Sequence, residues 1–398
     1  MTTEREECPE PSERLRIAHL TTSDVSLAKL LFTELEEDVK RGHRVFAISA
    51  PGPYVAEIER AGVTHVAVPA LSRGISPRSD VSAIGQLSRV LRHLRLDVIH
   101  THTPKAGVLG RIVGRLSGIP VVVNTCHGLS AAPDDIWIKR MAVYGVETAA
   151  ALFSDAELFQ NHDDYEIMAR VLGRRHVTLV GNGTDLLRFR FDPDGRHRVR
   201  AEWEVGPSEV LIGAVGRRVR MKGVQEFSEA AGRLTGRASF VWIGPQDPAR
   251  RDALPDDLPH VRFVGERTDM PAVYSALDVF VLPSYREGLP RSAMEAAACG
   301  RPMVLTSVRG TREFQFYAVP ALWVPSRRAD SLALQLERLV RDPGLREALG
   351  NAAAEGAGRA FDQRRVAARS LGTYAQVRQR QLRATRGRRH GLSVSPRR

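Results

Sequence analysis

From Arg16 onward the chain alternates short apolar, β-branched runs with longer stretches whose apolar positions recur at helical spacing. In the first half the short runs predict strands at 16–21, 44–50, 64–69, 97–103, 121–127, 156–161 and 177–181. Helical periodicity fills the gaps, for example at 27–41, 81–94, 105–117 and 136–153. These strands are almost continuously apolar, which predicts an α/β domain with a parallel sheet covered on both faces. At Gly181-Asn-Gly-Thr-Asp185 the pattern breaks, and the polar stretch 188–209 follows. A boundary belongs there. Alternation then resumes, with strands at 210–215, 239–243, 261–264, 279–283, 302–306 and 321–324. Helices are expected at 224–234, 271–277 and 290–299, and helical runs from about 330 to 382. The pattern predicts two doubly wound domains, 14–190 and 191–360. A last helix over 361–382 follows, and segments 1–13 and 383–398 are read as disordered. Ligands of doubly wound sheets bind beyond the carboxyl ends of the strands, so residues just after each strand carry the chemistry.

Four strand ends stand out. The strand at 210–215 runs into Gly216-Arg217-Arg-Val-Arg-Met-Lys222-Gly223. Gly216 permits a tight turn, and Arg217 and Lys222 fall near the start of the next helix, where free N–H groups favour anions. An arginine fork with a lysine point charge suits a diphosphate; an exposed basic turn accounts for the same residues equally well. The strand at 279–283 leads to Ser284-Tyr-Arg-Glu287-Gly288-Leu289-Pro290 and an alanine-rich helix that contains Glu295 and ends at Gly300. Pro290 suits a first helical turn and Gly300 a C-terminal cap. Gly288 and Leu289 offer bare N–H groups at the helix start. Capping explains Glu287 but leaves Glu295, inside an apolar run, for a diol such as a ribose. In the first domain, Lys105 opens a helix after His100-Thr-His102-Thr-Pro. His127-Gly128 ends the next strand and is a candidate for substrate contact or proton transfer, with a structural histidine as the competing reading. His100 and His102 alternate on one strand, so at least one faces the core.

Composition sharpens this picture. Of 58 basic residues only five are lysines, which singles out Lys222 and Lys105. The net charge of +12 falls largely on residues 376–398, with eight arginines and no acid. Without them the chain carries 12 − 8 = +4, which argues against a nucleic-acid surface on the folded part. The basic tail suits either plain solvation or contact with anionic headgroups. No apolar run reaches the about 18 residues of a membrane span, and the charged start has no secretory pattern, which points to the cytoplasm. Three scattered cysteines, Cys8, Cys126 and Cys299, form no metal or disulfide pattern. Asp192-Pro-Asp194 reads as a turn, so no metal ligand set is expected. There is no phosphate-binding G-x-x-x-x-G-K-[ST] loop, and the first strand ends in Thr21-Thr22-Ser23-Asp24 rather than a glycine-rich fingerprint.

Taken in order, Gly216-Arg217…Lys222-Gly223, the Val261–Gly265 segment, Glu287…Glu295 and His127-Gly128 resemble the motifs of the retaining, GT-B-fold glycosyltransferases of family 4, which build bacterial surface polysaccharides and lipid-linked oligosaccharides. The resemblance spans about 14–382. It implies a hexosyl or N-acetylhexosaminyl transfer, without metal or cofactor, from a nucleotide diphosphate sugar, UDP-linked before GDP-linked. The acceptor would be a saccharide, a polyprenyl-linked saccharide or a small molecule, with peripheral contact at the inner face of the plasma membrane. By the same resemblance Arg217 and Lys222 hold the diphosphate, Glu295 the ribose, and Glu287 the transferred sugar. Gly216, Gly288, Leu289, Val264 and Gly265 line the donor, and His127 lies by the reacting sugar. Thr22, Ser23 and Lys105 fall on the acceptor side, where TTSDVS departs from the family's glycine-rich loop. A nucleotide-sugar epimerase on the same fold, or a non-enzymatic protein binding through its basic tail, are the rival readings.

Overall fold

The computed structural model describes residues 14–391, apart from 73, 75, 132–134, 248–251 and 255–257. The expected segments 1–13 and 392–398, and Cys8, lie outside the described residues. Seven strands form the first sheet: β1 (Arg16–Ser23), β2 (Arg44–Ala50), β3 (Thr64–Ala67), β4 (Val98–His102), β5 (Val121–Cys126), β6 (Ala156–Phe159) and β7 (Val177–Leu179). Their order is β3-β2-β1-β4-β5-β6-β7, all parallel. Six make the second: β8 (Leu211–Val215), β9 (Ser239–Ile243), β10 (Arg262–Phe263), β11 (Val279–Leu282), β12 (Met303–Thr306) and β13 (Leu322–Val324). Their order, β10-β9-β8-β11-β12-β13, repeats the same winding. Both sheets are therefore Rossmann-like, with a switch in strand order beside β1 and beside β8. The central strands β4 and β11 are buried along their whole length, as two covered faces require.

Two segments differ from the sequence expectation. The polar connector is helical over Pro193–Glu202, and Asp192 is its N-cap, with Oδ1 accepting from Gly195 N at 2.9 Å. Asp192-Pro-Asp194 is thus a helix start rather than a turn. The helix looked like linker because its arginines are polar in sequence but tethered in space: Arg196 and Arg200 both pair with Asp278, at 2.6 and 2.9 Å, while Val199 and Trp203 enter the core. The last helix runs over Gln363–Gly391, so residues 383–391, read as part of a disordered tail, continue it.

That helix returns to the first domain. Leu371, Tyr374 and Val377 share a buried cluster with Ile17, Val98, Val121 and Leu158. The Tyr374 hydroxyl meets His100 Nδ1 at 2.6 Å, and Gln381 donates to the Pro120 carbonyl at 2.8 Å. Among the described residues no helix is long and apolar enough to cross a membrane.

Because Tyr374 is fully buried, Tyr374→Ala is expected to lower the unfolding free energy by about 3–5 kcal/mol. Tyr374→Phe, which leaves His100 Nδ1 unpaired, is expected to cost about 1–3 kcal/mol. Denaturant unfolding measures both; a Phe variant as stable as the parent would remove Tyr374 from the support of the histidine cluster.

Candidate active site

The two domains meet through backbone. A Cβ on Gly288 would run into the carbonyl of His127, and one on Gly310 into the carbonyl of Gly288. A Cβ on Gly128 would lie 3.0 Å from the Gly288 Cα. Three chain segments, from β5, β11 and β12, therefore cross where only glycine leaves room. Ion pairs fasten this crossing. Arg309 Nη1 donates to Asp164 Oδ1 at 2.7 Å and to the Ala131 carbonyl at 2.9 Å, in a buried setting. His162 Nδ1 lies 2.7 Å from Glu313 Oε2, and Glu313 Oε1 accepts from the His162 amide at 2.8 Å. Arg286 pairs with Asp135 at 2.7 Å, and Asn182 Nδ2 donates to the Leu289 carbonyl at 3.1 Å. Removing one partner of a buried pair such as Arg309–Asp164 leaves an uncompensated charge, a cost of about 3–5 kcal/mol.

The second domain presents the charged groups. A short 3₁₀ turn, Arg220–Lys222, leads through Gly223, at φ 75°, into helix Val224–Arg233. Lys222 Nζ sits 2.5 Å from Glu287 Oε1. Gly216 lies against the Lys222 stem, and its carbonyl accepts from Trp242 Nε1 at 2.7 Å. The chain bends at Gly216, as expected, without entering the left-handed region; the positive φ falls on Gly223. Arg217, half-exposed, pairs with Asp247 at 2.6 Å rather than with Glu287. Pro290 is the N-cap of helix Arg291–Ala298 rather than its first residue. No acceptor among the described residues engages the N–H of Gly288 or Leu289, so both remain available beside Glu287. Glu295 accepts from the Tyr274 hydroxyl at 2.8 Å, with Arg291 Nε 3.8 Å from its other oxygen. Burial raises its pKa above the ordinary 4.5, against the charge of Arg291 and the Tyr274 hydrogen bond. Val264 and Gly265 follow β10, where the Gly265 carbonyl accepts from Gly244 N at 2.7 Å.

The first domain contributes an apolar cleft of about 1000 Å³. Thr22, Lys105 and Arg217 line it together, with Val108, Val143 and Val146. Ser23 is not on its wall; its hydroxyl meets Ser26 at 3.3 Å. Lys105 is held by the Gly74 carbonyl at 2.6 Å and by Asp80. Helix Trp137–Ala151 flanks the cleft and shows Trp137, Ile138 and Met141 to solvent at 71, 59 and 61% exposure.

His127 follows directly on β5 and is partly accessible. Desolvation nevertheless lowers its imidazole to about 4, against a hydrogen bond with the Gln160 amide and with help from the Arg291 charge. The ring is therefore neutral near pH 7. Behind it His19, His100 and His102 are all fully buried. The H-x-H alternation predicts at least one inward histidine, and both are buried: His100 meets Tyr374 and Thr125, each at 2.6 Å, while His102 bridges His19 and His127. Ligand atoms of His19, Glu34, His100 and His102 lie within 4.8 Å of one another, but the imidazole nitrogens already have protein partners. The clamp residues Arg309, Asp164 and Glu313 escaped the sequence reading, since pairs 145 and 151 positions apart leave no local pattern. Only the Asn161–Asp164 capping pair, at 2.8 Å, was readable in principle.

Residues 34–183 match the model for a glycosyl transferase 4-like domain, and residues 209–342 that for glycosyl transferases group 1. The N,N'-diacetylbacillosaminyl-diphospho-undecaprenol alpha-1,3-N-acetylgalactosaminyltransferase of Campylobacter jejuni is 25% identical over 374 residues, 91% of this chain and 99% of that protein. The D-inositol 3-phosphate glycosyltransferase of Actinosynnema mirum is 30% identical over 312 residues, 71% of this chain and 73% of that protein. In fold the chain is similar to HepE of Anabaena, solved in complex with UDP-glucose, with a TM-score of 0.78 at 18% identity over 91% of this chain and 100% of that chain. The two matched segments are the two domains that meet at the glycine crossing, and the chain belongs to the group 1, family 4-type glycosyltransferases, with the GT-B fold.

Proposed function

We propose that this glycosyltransferase moves a hexosyl or N-acetylhexosaminyl unit, with retention and without a metal, from a UDP-sugar to a lipid-linked saccharide. The observation that carries the donor half is the Lys222–Glu287 pair. Two residues 65 positions apart meet beside free amides at Gly288 and Leu289 and under the His127–Gly128 carbonyl end of β5. A diphosphate entering there gains the Lys222 ammonium and the two amides; Glu287 is released toward the sugar. Arg217 leaves Asp247 for the outer phosphate, and Glu295 takes the ribose hydroxyls. Val264 and Gly265 border the base.

In the chemical step the bond between the anomeric carbon and the phosphate oxygen breaks, and its electron pair goes to the diphosphate. Lys222 and the amides stabilise that charge in a site from which the closed domains exclude water. The acceptor oxygen attacks from the same face and gives its proton to the departing phosphate. His127, neutral, contacts a hydroxyl of the sugar from the first domain. The apolar cleft beside Thr22 and Lys105, and the exposed Trp137, Ile138 and Met141, support an acceptor carried on a lipid and presented at a membrane surface.

Lys222→Ala, tested on folded protein with a panel of UDP-sugars, is expected to lower transfer by about 10²–10³-fold; full activity would overturn the donor assignment. The raised pKa of Glu295 sets a pH dependence. Ribose hydroxyls donate to the carboxylate, so binding requires the proton to leave. Donor affinity is therefore full above the raised value and lost as pH falls through it. Calorimetry across this range is expected to show that slope in the parent and a flat profile in Glu295→Gln.

A further inference from the structure

Asp38, His19, His102 and His127 form one hydrogen-bonded line from the helical segment 24–40 to the cleft. Asp38 Oδ2 meets His19 Nε2 at 2.9 Å. His19 Nδ1 meets His102 Nε2 at 3.2 Å, and His102 Nδ1 meets His127 Nε2 at 3.1 Å. The first three are essentially without solvent exposure. Among the described residues the other oxygen of Asp38 has no partner, so the His19 N–H is the donor its side chain holds.

We propose that Asp38 is a positioning residue that fixes the tautomer of His127 through His19 and His102. The assignment follows from donor and acceptor capacity. A carboxylate only accepts, so His19 carries its hydrogen on Nε2. Neutral His19 then has a bare Nδ1, which obliges His102 to donate from Nε2. His102 is left bare at Nδ1, and His127 must donate from Nε2. The Nδ1 of His127 is the nitrogen left as acceptor. Whatever meets it must bring a hydrogen, as a hydroxyl of the bound sugar does. An aspartate that holds a catalytic histidine in one tautomer is an established device, and replacing it by asparagine is costly because the wrong tautomer results. Here the device acts through two further imidazoles.

The direction of the line is reversible. A proton added to His19 fills both its nitrogens, so His102 must accept at Nε2 and donate from Nδ1. His127 then accepts at Nε2 and carries its hydrogen on Nδ1. The groups facing His19 are Asp38 and Glu34 from the segment 24–40, His100 and His102 from β4, and Tyr374 from the last helix packed on them. Burial alone would lower the His19 pKa, but the hydrogen bond and charge of Asp38, with Glu34, raise it. Burial lowers His100 and His102 well below the ordinary value, so both stay neutral through the change. Burial raises Glu34 to about 7, with the charge of Asp38 adding and His19 and a Ser370 hydrogen bond opposing.

This inference rests on the reading that His127 meets the transferred sugar, but its first test does not. In full-length protein carrying ¹⁵N-histidine, two-bond ¹H–¹⁵N correlations report each tautomer, and His127→Ala identifies the His127 signals. At alkaline pH the expected state of His127 is Nε2–H. Acidification through the His19 titration should convert it to Nδ1–H, with no substitution needed. Asp38→Asn should admit Nδ1–H at alkaline pH. A His127 that is Nδ1–H at alkaline pH in the parent, or one unchanged both by acid and in folded Asp38→Asn, would overturn the relay. Kinetics then test its use. Asp38→Asn should lower kcat by about tenfold or more with donor KM nearly unchanged, and should have no further effect in a His127→Ala background. An equal loss in both backgrounds would make Asp38 merely structural. Normal tautomers in a chain that transfers no sugar would instead overturn the proposed function and leave the relay standing.

Discussion

The architecture depends on a backbone crossing without side chains. Gly128, Gly288 and Gly310 come from the strand ends of both domains, and each lies where a Cβ would strike or crowd a neighbouring main chain. Two doubly wound sheets each have a binding crevice at the carboxyl ends of their strands. The crossing joins them, so that the β5 terminus with His127 stands over the β11 terminus with Glu287. The buried Arg309–Asp164 pair and the His162–Glu313 contact fix the approach. Such pairs add little net stability over apolar packing, but they penalise any arrangement that leaves one charge unmatched.

The last helix does a related job from the other side. By returning from the second domain to bury Tyr374 between β1, β4 and β5, it closes the first domain's core and caps the histidine cluster. The site is thus bounded by glycine backbone in front and by a polar interior behind. The three buried histidines in that interior are tolerated because every ring nitrogen has a hydrogen-bond partner.

Much of this was legible in the sequence, for reasons that differ by element. The strands declared themselves because parallel sheets covered on both faces need continuous apolar runs; β2 and β9 fall at the residues expected. Lys222 stood out as a rare lysine at a strand end, although nothing local revealed its pairing with Glu287. Helix Pro193–Glu202 was hidden because Arg196 and Arg200 look solvent-facing until Asp278 is placed beside them. The run to Gly391 was hidden because an arginine-rich helix without an apolar stripe resembles a tail. The clamp and the Asp38–His19 contact were out of reach, since a sequence shows spacing and these join residues brought together only by the fold.

The proposed function requires one donor molecule to be held by both domains at the glycine crossing. Amide hydrogen exchange on the full chain, with and without a UDP-sugar, tests it most directly. Binding is expected to protect three separated segments together: 216–223, 287–290 and 126–129. Protection confined to the second domain, or falling outside these segments, would contradict it.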